Sequence, residues 1–234
     1  ELEAALDLRF AYVRTGDREI DERSRAGLSG LSREIWRRSA MEPEEPMAVD
    51  IEENELVFFP IIYWPITENA PPLSDAAAER VNRYIQSGGL IVFDTQDADT
   101  AITRAGAPHP GLARVLEAID VPPLAQVDPD HVLTKSFYLL QDFPGRVSGG
   151  SVWVEADPDG ASRDGTSGVV IGSNDWASAW ATDEDGRALY PVEGGDRQRE
   201  MARRFGVNLA MYALTGNYKA DQVHVPALLE RLGQ

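Results

Sequence analysis

Residues 74–94, SDAAAERVNRYIQSGGLIVFD, constrain the fold more than any other stretch. Ser74 is a good N-cap because its hydroxyl can accept from a free N–H of the first turn. Asp75 follows where the helix dipole favours negative charge. Ala77, Val81, Tyr84 and Ile85 then recur at helical spacing and form one apolar stripe. Gly88 and Gly89 end the helix, and residues 90–93 (LIVF) follow as an apolar strand stopping at Asp94. A strand apolar at successive positions is buried on both faces, which calls for helices above and below it. A helix running through a glycine turn into such a strand is the second half of a βαβ crossover, so a parallel sheet is predicted.

Most of the chain fits that scheme. Residues 6–13 (LDLRFAYV) read as a strand with Leu6, Leu8, Phe10 and Tyr12 on one face. Residues 24–39 form a helix carrying Leu28, Leu31 and Ile35, in which Gly27 and Gly30 each cost roughly 1 kcal/mol relative to Ala. Residues 56–62 (LVFFPII) are apolar on both faces, as a central strand should be, with Pro60 marking an irregularity or an early end. Leu112, Val115, Leu116 and Ile119 repeat the helical period until Val121-Pro122-Pro123 stops it. Residues 151–155 and 168–171 read as strands around the polar loop 156–167, and 106–140 is loop-rich. Helix 197–214 carries Met201, Phe205, Leu209 and Tyr212 on one face, with Gly216 just past its end, and 226–232 reads as a last short helix. The sum is an α/β fold with a mostly parallel sheet and helices on both faces, one domain over residues 1–234.

Composition then excludes function classes. The net charge of −17 argues against nucleic acid and against an anionic membrane surface, since the phosphates would be repelled. With no cysteine, disulfides, thiolate metal sites and a cysteine nucleophile are ruled out. The longest apolar run, residues 56–67, is shorter than a membrane span and contains Pro60 and Pro65. The opening ELEAALDLRF has neither an initiator Met nor a signal peptide, as expected for a segment of a longer protein.

In parallel α/β sheets ligands sit beyond the carboxyl ends of the strands, so the residues there are the site candidates. They include Tyr63 and Trp64, then Asp94, Thr95, Gln96, Asp97 and Asp99, then Asn174, Asp175 and Trp176. Asp94 and Asp175 could act as general acid or base; equally, Asp94 could order its own turn and Asp175 cap the next helix. Tyr63, Trp64, Thr95, Gln96, Asn174 and Trp176 could hold a polar, sugar-like ligand, with stacking on Trp64 or Trp176. Asp94, Asp97 and Asp99 are the residues that could hold Mg²⁺ or Ca²⁺. His131, flanked by Asp128 and Asp130, is the third catalytic candidate, and the carboxylates are expected to raise its pKa; a surface histidine is the plain alternative. The Asp-Gly runs at 157–160 and 183–186 read as turns rather than calcium loops. Arg33, Arg37, Arg38, Arg197, Arg199, Arg203 and Arg204 read as solvated polar helix faces.

Five segments in combination, RFAYVRTGD, ELVFFPIIYWPIT, VNRYIQSGGLIVFDT, SNDWASAWA and FGVNLAMYALTGNYKADQVHVPALLERL, resemble an uncharacterised bacterial domain-of-unknown-function family. Its members form the C-terminal soluble part of membrane proteins whose N-termini resemble aerotolerance-regulator (BatA-type) segments. The resemblance implies a flavodoxin-like three-layer sandwich similar to class I glutamine amidotransferases and trehalose-utilisation (ThuA-like) proteins. It also implies tethering to the bacterial inner membrane. Glutaminase chemistry is excluded because the chain has no cysteine. Two functions remain: a non-catalytic module binding a protein partner or a small polar ligand, or a hydrolase or isomerase working through strand-end carboxylates on a polar, carbohydrate-like substrate.

Overall fold

The computed structural model describes residues 8–99, 108–156 and 167–232, by backbone alone from 215 onward. In chain order the elements are β1 (Arg9–Val13), α1 (Arg18–Arg38), β2 (Glu44–Val49), β3 (Ile61–Pro65), α2 (Asp75–Gln86), β4 (Leu90–Asp94) and α3 (Pro110–Glu117). They continue with β5 (Leu124–Gln126), β6 (Trp153–Glu155), β7 (Val169–Gly172), α4 (Trp176–Trp180) and α5 (Gly195–Leu232). The strands form one sheet in the order β2-β1-β3-β4-β7-β6-β5. The first five are parallel neighbours, while β6 runs antiparallel to both β7 and β5. The parallel part has the flavodoxin-like order, with the β5–β6 pair added beyond β7.

Side-chain alternation separates the layers. Phe10, Tyr12, Ile61, Tyr63, Leu90, Val92 and Val170 pack with residues of α1, α4 and α5. Ala11, Val13, Ile62, Trp64, Ile91, Phe93, Val169 and Ile171 pack on the other face with residues of α2 and α3. A sheet covered on both sides explains why these strands are apolar at consecutive positions. The helix–turn–strand unit forms as expected: Ser74 accepts from the Ala77 N–H, and Gly88 turns the chain at φ +97°. No helix among the described residues is long and apolar enough to cross a membrane.

Several expectations change. The central strand begins at Ile61 rather than at Leu56; Pro60 sits just ahead of it and contributes only its carbonyl, which accepts from the Leu90 N–H. α1 starts at Arg18, six residues earlier than read, because Asp17 accepts from the Glu19 and Ile20 N–H groups. β2 was not expected, and it is a terminal strand with Pro46 inside it, as edges tolerate. α5 runs through Gly216 to Leu232 as one helix instead of two. The two turn readings at 157–160 and 183–186 part company: residues 157–160 lie outside the described residues. At 183–186 Gly186 has φ +79° and Arg187 pairs with Asp185 at 2.5 Å, so that run is a turn.

Gly27 and Gly30 are contact points rather than defects. A Cβ on Gly27 would lie 2.5 Å from the Ala177 carbonyl oxygen, and one on Gly30 would lie 2.0 Å from that of Trp180. The two glycines therefore let α1 lie directly on the backbone of α4. Most of the arginines are also not a solvated face. Arg199 donates to the Ala179 and Tyr190 carbonyls, and Arg33 donates to the carbonyl and hydroxyl of Thr182. Arg38 joins Glu34 to Glu200, and Arg38 and Arg204 both lie over the Tyr138 ring.

Candidate functional site

The parallel register sets Pro65 beside Asp94 and Asp94 beside Gly172, so the ends of β3, β4 and β7 form one rim. Asp94, at the centre, is fully buried. Its Oδ1 accepts from the Gln96 N–H at 3.0 Å and the Asp175 N–H at 3.2 Å. Its Oδ2 accepts from the Tyr63 hydroxyl at 2.8 Å and the Trp176 N–H at 2.8 Å. Two donors on each oxygen use the lone-pair sites of a carboxylate. Burial, reinforced by the charge of Asp175, pushes the carboxyl up to about 6, against the hydrogen bonds from Trp176, Tyr63 and Gln96. The same burial holds the Tyr63 hydroxyl well above its ordinary range.

Two of the donors come from left-handed backbone. Gln96 has φ +58° and Asp175 φ +54°, the two positive values among the described non-glycine residues. Asp tolerates this conformation better than a long side chain does. Each bend turns its own N–H onto Oδ1 of Asp94. Asp175 also accepts from the Ser178 N–H, capping α4, and pairs with Arg146 Nε at 2.6 Å. Arg146 reaches on to Asp99 at 3.3 Å. Local sequence carried no sign of Arg146, which sits in a loop and meets Asp175 only through the fold.

The remaining candidates fall into two groups. Gln96 Nε2 donates to the Tyr63 hydroxyl at 3.3 Å, joining the cluster. Thr95 bonds the Gly172 carbonyl and the Asp97 carboxylate, and Asn174 bonds the Phe143 and Gly150 carbonyls and the Gly150 N–H. The stacking role imagined for the indoles meets no open face. Trp176 is fully buried against Phe205 with its N–H on the Phe143 carbonyl, and Trp64 is packed on Phe93. Asp94, Asp97 and Asp99 do not gather as metal ligands: no group of three or more such side chains able to hold an ion forms among the described residues.

His131 lies apart from this cluster. It caps the short turn Val132–Thr134, its Nδ1 accepting from the Leu133 N–H, and its ring packs against Tyr212. Burial lowers its pKa and outweighs Asp128, which corrects the expectation of a raised value. The desolvation that disfavours the imidazolium was invisible to a reading of its acidic neighbours in sequence.

The open space lies next to the rim. A cleft of about 1100 Å³ runs between the 126–152 segment and the first turns of α5. Its walls include Lys135, Leu139, Phe143, Asn174, Arg197 and Gln198. Asn174 is the point where cleft and rim meet, and Leu139 is 87 % exposed there.

Curated proteins offer no match to the chain. A family model described as a domain of unknown function, DUF4159, matches residues 9–214, and the chain belongs to that family.

Proposed function

We propose that this chain is a single-domain, non-catalytic binding module of a membrane-anchored bacterial protein. The observation that carries the reading is Asp94: this fully buried strand-end carboxylate spends both oxygens on four internal donors. A general acid or base needs a lone pair or proton facing substrate. In amidotransferase-like and ThuA-like folds, which the chain resembles, the strand-end crevice is where ligands are expected. Here that crevice is filled by the chain's own amides, and the cleft beside it supplies the recognition surface for a protein partner or a small polar ligand. The acidic total favours neither nucleic acid nor an anionic bilayer as partner. The inner-membrane tether rests on the resemblance to BatA-associated domains.

The raised carboxyl of Asp94 favours the second reading, a hydrolase or isomerase on a polar, carbohydrate-like substrate with or without Mg²⁺ or Ca²⁺. One experiment addresses both. A photo-crosslinking residue replaces Leu139 in the cleft, or Glu79 on α2 as control, in the full-length protein in its native membrane. A discrete adduct at 139 and not at 79, lost with Arg197→Glu, supports the binding module. Turnover of glycoside, ester or phosphoester substrates by the wild type, abolished in a folded Asp94→Asn variant, overturns it in favour of the enzyme.

A further inference from the structure

A second concave surface lies away from the strand-end rim. Ser29, Ser32, Arg33 and Trp36 recur at helical spacing and present one stripe of α1 to the segment Glu42-Pro43-Glu44-Glu45 that opens β2. Between them is a groove of about 360 Å³. Trp36 is 59 % exposed, the most exposed aromatic among the described residues. Much of its indole surface is therefore open at the groove.

The charges do not cancel inside the groove. Glu42, Glu44 and Glu45 are exposed, and none forms an ion pair among the described residues; Glu45 only accepts from the Ser29 hydroxyl at 2.8 Å. Arg33, the one cation of the wall, is turned onto Thr182, with its Nη2 on the Thr182 carbonyl and hydroxyl at 2.8 and 2.7 Å. A second feature points to a missing group. Ser32 lines the groove, is 94 % buried by its 6 % exposure, and its hydroxyl has no hydrogen-bond partner among the described residues. Buried hydroxyls are ordinarily satisfied.

We propose that this groove docks an arginine side chain from an extended basic segment of a partner protein. A planar guanidinium can lie on the Trp36 face while its N–H fork meets carboxylates, a combination a lysine ammonium cannot match. Glu42, Glu44 and Glu45 supply the carboxylates, and the Ser32 hydroxyl supplies an acceptor at the floor. The segment bearing the arginine continues beside β2, a terminal strand of the sheet, whose outer edge has no neighbouring strand among the described residues. The site stands independently of the cleft near α5 and of the non-catalytic reading.

The test is fluorescence anisotropy of a labelled, acetylated peptide of alternating Arg and Ala, titrated with the wild-type protein at low salt. Saturable binding is expected, weakened about three- to thirtyfold by Trp36→Ala. It is also expected to be lost in the triple variant Glu42→Gln, Glu44→Gln, Glu45→Gln. The triple control Glu79→Gln, Glu117→Gln, Glu184→Gln removes the same charge elsewhere and is expected to bind as wild type. The proposal is overturned if the control loses as much as the groove variant, because the −17 total would then act diffusely. It is overturned equally if Trp36→Ala is silent, or if the matched Lys–Ala peptide or free arginine binds as tightly. Light scattering that shows a dimer dissolved by Trp36→Ala would make a second copy the occupant and would also reject it.

Discussion

Replacing Asp94 by Asn tests the strand-end cluster through a pH dependence that a merely packed side chain would not have. In the folded protein its carboxyl stands at about 6 against an ordinary 3.8. A folded-state value above the unfolded one means that the folded protein holds the proton more tightly. The stability contributed by this group is therefore complete below the unfolded value and is lost as pH rises through about 6. At 1.36 kcal/mol per pH unit the full loss is about 3 kcal/mol. About half of it, roughly 1.4 kcal/mol, falls between about pH 5 and about pH 7.5. Asn has no ionisation to lose, but it presents an NH₂ where Oδ2 stood. Tyr63 can reverse its hydroxyl to meet that NH₂; the Trp176 N–H cannot, and it is orphaned at a cost of about 1–3 kcal/mol. Urea unfolding of both proteins across this pH range is expected to show Asp94→Asn clearly less stable near pH 5. The gap should narrow by roughly 1.4 kcal/mol near pH 7.5. A gap that stays constant or widens with pH would refute the reasoning. It would mean that the four donors, and not burial, set the carboxyl's affinity for protons.

Three further measurements follow from the packing. Gly30→Ala should destabilise the protein although Ala is the better helix former by about 1 kcal/mol, because the new methyl meets the Trp180 carbonyl; a Tm at or above wild type would contradict the contact. Asn208→Ala removes three hydrogen bonds that hold Leu133 and Tyr138 against α5. It should cost about 2–4 kcal/mol, with faster amide exchange at residues 133–140, whereas uniform exchange changes would deny a local clamp. The His131 ring should titrate below 6.5 by NMR. Its lowered value means that stability is present above the unfolded pKa and declines as pH falls through it, so a midpoint above 6.5 would show that Asp128 outweighs burial.

What the sequence alone determined is the layered architecture and the location of the rim. The consecutive apolar residues of β1, β3 and β4 required a sheet covered on both faces. The Ser74 cap and the Gly88 turn placed α2 and β4 within a residue, because caps and turns are decided by neighbours a few positions apart. The convergence of Tyr63, Asp94, Gln96, Asp175 and Trp176 also followed from parallel topology. What they do there did not. Asp94 receives donors 31 and 81 positions away, and whether a carboxylate faces substrate or its own backbone depends on those long-range partners. Gly30 looked like a weak point in a helix until Trp180, far along the chain, arrived against it. Pro60 read as an irregularity within a strand or its early end and proved to stand before its start, since only pairing with β4 showed which carbonyls were needed. His131 was judged by the charges beside it in sequence, while desolvation by the folded chain had the larger effect. Local periodicity depends on the residues themselves and survives without tertiary contacts. Burial, hydrogen-bond saturation and pKa depend on what distant segments bring, and only the tertiary structure decided those.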